Sequence, residues 1–199
     1  MDPNPPDAGR ARLEFLKVCA ALAPEGSCDA FDGGHLPVLH ALLTALIPYG
    51  EPGFPSIPSG IPESPETALF GGEADSFPAM RNCLLLFEDS ARFGEAWEPA
   101  RDEERRALEG HGTWAPEAIE RQLAKKLALD AKALAAFRRK HSGGDLPFSS
   151  MAPAERREYL WLWSQSAFRL KRKFARGLEI LARSSVVGGG RATGGILGF

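Results

Sequence analysis

The spacing of apolar residues between Phe148 and Arg183 constrains the fold more than any other feature of the chain. Leu160, Trp163, Ala167, Leu170, Phe174, Leu178 and Leu181 recur there in steps of three and four. That interval follows the 3.6-residue helical turn, so it predicts one long amphipathic helix with these side chains on a single face. Ser149, Ser150 and Pro153 supply the start signal, since a first turn has no use for the N–H that proline lacks. The remaining faces carry Arg156, Arg157, Arg169, Lys171, Arg172, Lys173, Arg176 and Arg183, which makes the helix basic as well.

The same periodicity runs through the rest of the chain. Arg10–Ala23 reads as a first helix with Leu13, Leu16, Val18 and Leu22 as its apolar residues. His35–Ile47 reads as a second, with Leu36, Leu39, Leu42, Leu43 and Leu46 on one face and Pro48 as its stop. A third opens at Ser76 and Pro78 and places Met80, Cys83, Leu84, Phe87 and Ala91 on one stripe, so Cys83 is expected in the core. Glu95–Glu109 is polar and contains Pro99, which predicts a broken helix. Thr113 and Pro116 start another, with Ile119, Leu123, Leu127, Leu134 and Phe137 on its buried side, a bend at Asp130 and an end at Gly143 and Gly144. No run alternates apolar and polar residues, so the expected class is all-α.

Residues 48–66 break the pattern. Pro48, Pro52, Pro55, Pro58, Pro62 and Pro65 exclude regular structure, yet Phe54, Ile57 and Ile61 are large apolar residues that a solvated linker lacks. Their spacing suits an extended arm that wraps a surface. The expected organisation is therefore a disordered N-terminus at 1–9, a single irregular helical domain at 10–184 that includes the arm, and a Gly-rich flexible tail at 185–199.

Charge is distributed unevenly. The net value is −2, but residues 51–104 hold twelve acidic against three basic residues, and residues 105–199 hold eighteen basic against eight acidic. The two parts can attract each other within one fold, or the basic part can meet an acidic partner. Cys19, Cys28 and Cys83 are too few for a disulfide framework, although one bond is possible, and a reducing compartment fits them better. No apolar run reaches the roughly 20 residues of a membrane-spanning helix. Arg10–Lys17 followed by VCAALA has some features of an export signal, but Glu14 interrupts it and the apolar run is short. A cytoplasmic location is favoured, with periplasmic export through a partner or a degenerate signal as the alternative.

No constellation of catalytic or cofactor-binding residues emerges. Cys28, His35 and His40 match no metal-ligand spacing, and no G-x-S-x-G occurs. Glu103 and Glu104 lie in a charge run that reads as a solvated face. The tail VVGGGRATGGILGF has Gly188 and Gly190 but Thr193 at the third position, with no room for a βαβ unit. The chain is therefore expected to hold no metal and no cofactor and to be no enzyme on its own. The basic helix could contact nucleic-acid phosphates or, with Trp161 and Trp163, an anionic membrane surface, but its apolar stripe is needed for packing and no nucleic-acid module surrounds it, so no nucleic-acid partner is expected.

The pattern F-x-x-M-x-P-x-E-R-R-x-x-L-x-x-W-x-x-S at Phe148–Ser166, ahead of a basic aromatic helix, resembles the C-terminal segment of the gluconate 2-dehydrogenase subunit 3 family. It is also similar to the helical region that precedes the flavin domain in some alcohol oxidases of the glucose–methanol–choline class. Phe148, Met151, Glu155, Arg156, Leu160, Trp163 and Ser164 or Ser166 carry this likeness, and LPVLHALLTALIP at Leu36–Pro48 is similar in kind to the family's first helix. The resemblance implies a non-catalytic helical subunit in a heterodimer with a separate FAD-dependent alcohol or sugar dehydrogenase or oxidase, the FAD lying in that partner. The arm residues Phe54, Ile57 and Ile61, and Trp161, Phe168, Arg169 and Arg172 outside the packed stripe, are the expected partner contacts. A free-standing helical adaptor without a redox role is the alternative.

Overall fold

The computed structural model describes residues 8–22, 35–46, 77–93, 98–112, 114–142 and 145–180. The proline-rich arm with Phe54, Ile57 and Ile61, the N-terminus, Cys28 and the Gly-rich tail lie outside the described residues, as do the side chains of His35, Leu36, His40 and Leu43. Every regular element among the described residues is helical, so the protein is all-α. None of these helices is long and apolar enough to cross a membrane.

Among the described residues the α-helices begin with α1 (Ala8–Leu22), α2 (His35–Leu46), α3 (Phe77–Phe93), α4 (Glu98–Gly110), α5 (Pro116–Lys140) and α6 (Pro153–Ser164). A 3-10 turn at Phe148–Ser150 precedes α6, and α7 covers 169–180. Sequence periodicity set the α3 stripe correctly: Met80, Cys83, Leu84, Phe87 and Ala91 are all buried. Helix α4 is continuous where a break was expected, because Pro99 falls in its first turn and removes no internal hydrogen bond. It ends where Gly112 takes φ of 66°, a left-handed conformation that costs glycine little. Helix α5 is likewise continuous through Asp130, with Pro116 at its start, Glu117 in its first turn and Arg138, Arg139 and Lys140 in its last, all suited to the helix dipole.

The core sits where α3 meets α1, α2, α6, α7 and the 3-10 turn. Phe87 is its centre. Its ring lies 4.8 Å from Phe148, 4.8 Å from Trp163, 5.4 Å from Phe174 and 5.7 Å from Tyr159, mostly tilted or edge-on, as aromatic quadrupoles prefer. Polar contacts fix the ends around it. The Glu88 carboxylate accepts from Ser149 N at 2.9 Å and from its hydroxyl, which holds the 3-10 turn onto α3. Arg138 of α5 donates to the Ala91 and Arg92 carbonyls and so closes the C-terminal end of α3. Helix α1 reaches the core through Phe15, 5.5 Å from Phe174, and crosses α7 at Gly177, where a Cβ would lie 2.6 Å from Phe15 Cδ2.

Tyr159 places a phenol in this core. Ser90 Oγ donates to the Phe87 carbonyl at 2.6 Å, so Tyr159 donates its hydroxyl proton to Ser90 Oγ at 2.8 Å. Burial pushes the phenol from its ordinary 10.0 up to about 12. An unfolded chain loses this proton near its ordinary pKa while the fold retains it, so stability is intact below pH 10.0 and declines as pH rises to about 12. Tyr159→Phe should flatten that decline and cost about 1 kcal/mol at neutral pH. Urea midpoints of both proteins across the alkaline range measure it, and an unchanged slope in the variant would assign the decline to other groups.

Candidate partner groove

The stretch expected as one long helix is two. Its first part, α6, begins with Pro153 and with Glu155 Oε2 accepting from Ala152 N at 2.9 Å. It stops at Ser164, and Gln165–Phe168 form a corner before α7. The corner is made by side chains from elsewhere in the chain. Asp130 of α5 accepts from Ser166 Oγ at 2.6 Å and from Ala167 N at 2.9 Å, and Ser166 Oγ in turn accepts from Phe168 N at 3.0 Å. Glu104 of α4 accepts from Arg169 N at 3.2 Å. The first free N–H groups of α7 are thus met by one hydroxyl and two carboxylates, which suit a helix N-terminus electrostatically as well.

Both carboxylates are neutralised locally. Lys171 Nζ lies 3.0 Å from Asp130 Oδ2, with both side chains over nine-tenths buried, and 5.4 Å and 5.7 Å from the ring centres of Trp163 and Phe168. Lys126 pairs with Glu104. Burial pushes Glu104 upward, but the hydrogen bonds from Lys126 and the Arg169 amide more than offset it and hold the carboxyl below its ordinary value. Arg169 itself pairs with Glu103 at 3.2 Å. The acidic residues of α4 therefore face the basic C-terminal part of the chain within one fold.

The corner leaves a groove of about 660 Å³ between α5 and α6. Phe137, Asp130 and Ser166 floor it, while Leu129 and Trp161 stand at its rim, 61% and 63% exposed. Leu129, Ala133 and Ala136 give α5 a second apolar line at i, i+4 and i+7, apart from the face formed by Ile119, Leu123, Leu134 and Phe137. Sequence reading passed over this line because alanine carries little weight in an apolar pattern. At one end, Lys140 pairs with Glu158 at 2.7 Å and His141 Nε2 lies 2.9 Å from the same carboxylate, so Glu158 ionises below its ordinary range. At the other end stands Arg172, whose guanidinium donates to the Ser166 carbonyl and whose charge meets no carboxylate within the groove.

Of the expected partner contacts, the fold brings Trp161 and Arg172 to one groove. Arg169 lies half-exposed beside it, paired with Glu103. Phe168 is placed differently: it is 2% exposed and packs inside, because the corner resets the helical phase and turns this side chain inward. Phe54, Ile57 and Ile61 lie outside the described residues. No cluster of three or more metal-ligating side chains occurs among the described residues. No protein-family model, curated protein or solved structure matches the chain.

Proposed function

We propose that the chain is a non-catalytic helical subunit that docks on a separate FAD-dependent alcohol or sugar oxidoreductase, with the α5–α6 groove as a main contact. The observation that carries this reading is the groove, where Trp161 of α6 and Leu129 of α5 stand exposed at the rim. Exposed aromatic and aliphatic side chains around a concave apolar surface are the usual centre of a protein interface. The residues that carry the family resemblance support it indirectly. Phe148, Met151, Leu160 and Trp163 are all buried, so their pattern encodes the 3-10 turn and α6, and with them the frame on which Trp161 is displayed. The partner supplies the flavin and the hydride chemistry, and this subunit stabilises it or shapes its substrate entrance.

Co-expression with a flavoprotein encoded beside it should yield a yellow complex that purifies as one species. A monodisperse chain that captures no flavoprotein under these conditions would overturn the proposal. Trp161→Asp gives the sharper result. Because the side chain is 63% exposed, folding stability should change by no more than about 0.5 kcal/mol, while affinity for the flavoprotein should fall roughly tenfold or more. Titration calorimetry beside thermal melting separates the two effects. Unchanged affinity would remove the groove from the interface.

A further inference from the structure

Past Glu120, helix α5 has a single carboxylate, the buried Asp130, while its cations continue as far as Lys140. Some of these cations are used within the fold. Lys126 pairs with Glu104, Lys140 pairs with Glu158, and Arg138 donates to the carbonyls that end α3. Lys125, Lys132 and Arg139 are exposed and form no ion pair with a described residue. They stand seven residues apart, nearly two helical turns, so they make a straight row with roughly 10 Å between neighbours. Lys125 and Lys132 precede Leu129 and Ala136 of the groove by four positions, which sets the row on the solvent side of the α5 wall, roughly 40° round the helix. A helix face that meets only solvent commonly alternates charges of both signs, and this row carries one sign.

We infer that the groove receives one amphipathic α-helix of its protein partner, with apolar positions set against Leu129, Trp161 and Leu162 and carboxylates one heptad apart facing Lys125, Lys132 and Arg139. The inference rests on the α5–α6 groove being the docking site proposed above. Two helices packed side by side rise at the same rate per residue, so carboxylates seven residues apart on the second stay in register with the row. An extended segment covers the same distance in about three residues, an odd number that turns successive side chains to opposite faces. A flat lipid surface does not enter a concave groove. Ala133 and Ala136 leave room on the α5 wall for the incoming helix, and Arg172 adds a further cation at one end. Apolar anchors in the groove supply affinity, and the charged row fixes which helix fits and in which register.

The test uses a synthetic peptide of about three heptads, with leucine at its core positions and glutamate at the flanking ones, titrated against the full chain beside a counterpart in which every glutamate is lysine. The acidic peptide is expected to bind at least about ten times more tightly than the basic one, with the gap narrowing at high salt. Lys132→Glu combined with Arg139→Glu in the chain should reverse the order of the two peptides. Both side chains are exposed, so the variant should keep its helical circular dichroism and its melting midpoint. Equal affinity for the two peptides, no binding of either, or tighter binding of a duplex DNA oligonucleotide than of the acidic peptide would overturn the inference. Flavoprotein capture is read separately. A chain that forms a yellow complex but ignores the acidic peptide retains the docking proposal and loses the helix, whereas a chain that binds the acidic peptide selectively and captures no flavoprotein retains the helix and loses the flavoprotein.

Discussion

Asp130→Ala is expected to destabilise the fold by about 3–5 kcal/mol, because it leaves the Lys171 ammonium buried without its counter-charge. The carboxylate receives three donors, Ser166 Oγ at 2.6 Å, Ala167 N at 2.9 Å and Lys171 Nζ at 3.0 Å. All three lose their acceptor together, and among the described residues the faces of Trp163 and Phe168 remain near the ammonium. Aromatic faces attract a desolvated cation by about 2 kcal/mol or more, which offsets only part of the loss of a buried ion pair. Asp130→Asn retains an acceptor and should fall between the two. Adding Lys171→Met to Asp130→Ala should recover part of the loss, since a neutral chain of similar volume removes the unpaired charge. Urea unfolding of the four proteins gives the comparison. A loss below about 1 kcal/mol for Asp130→Ala would mean that water reaches Lys171 and that the corner stands without its cap.

That cap also explains which parts of the fold the sequence could reveal. Helix α3 is legible because Met80, Cys83, Leu84, Phe87 and Ala91 follow helical spacing and all face one core. The corner at Gln165–Phe168 is not, because apolar spacing runs unbroken across it and neither glycine nor proline marks it. Its cause is tertiary: Asp130 and Glu104 lie 36 and 65 residues away from the groups they meet. The local hint was Ser164 and Ser166, residue types whose hydroxyls compete with helical hydrogen bonds and favour helix ends. Phe168 follows from the same point. Along one continuous helix it stands off the Leu160–Trp163–Leu170 stripe, but once a new helix begins at 169 the phase restarts and the ring packs inward. Charge pairing was legible only as an imbalance between halves. The structure resolves it into particular contacts, Glu103 with Arg169 and Glu104 with Lys126, both between α4 and later elements.

Phe87→Ala should cost about as much as the Asp130 change, about 3–5 kcal/mol, by a different route. The ring has no exposure and touches Phe148, Tyr159, Trp163 and Phe174, which come from the 3-10 turn, α6 and α7. Truncation removes the transfer free energy of the ring and leaves a cavity that four aromatic neighbours, each tied to a different backbone position, cannot close together. Phe87→Leu keeps most of the volume and should cost markedly less. Near-ultraviolet circular dichroism reports the same event independently, because Trp163 loses its edge-on partner at 4.8 Å and its signal should weaken in the alanine variant. The two large effects should also differ in reach. Asp130 acts at the corner, so its loss frees the start of α7 and the groove floor while the α3 stripe stays packed. Phe87 joins α3 to the 3-10 turn, α6 and α7, so its loss should loosen the whole core at once. Native-state hydrogen exchange separates the cases: protection in α3 should persist in Asp130→Ala up to global unfolding and fall throughout in Phe87→Ala.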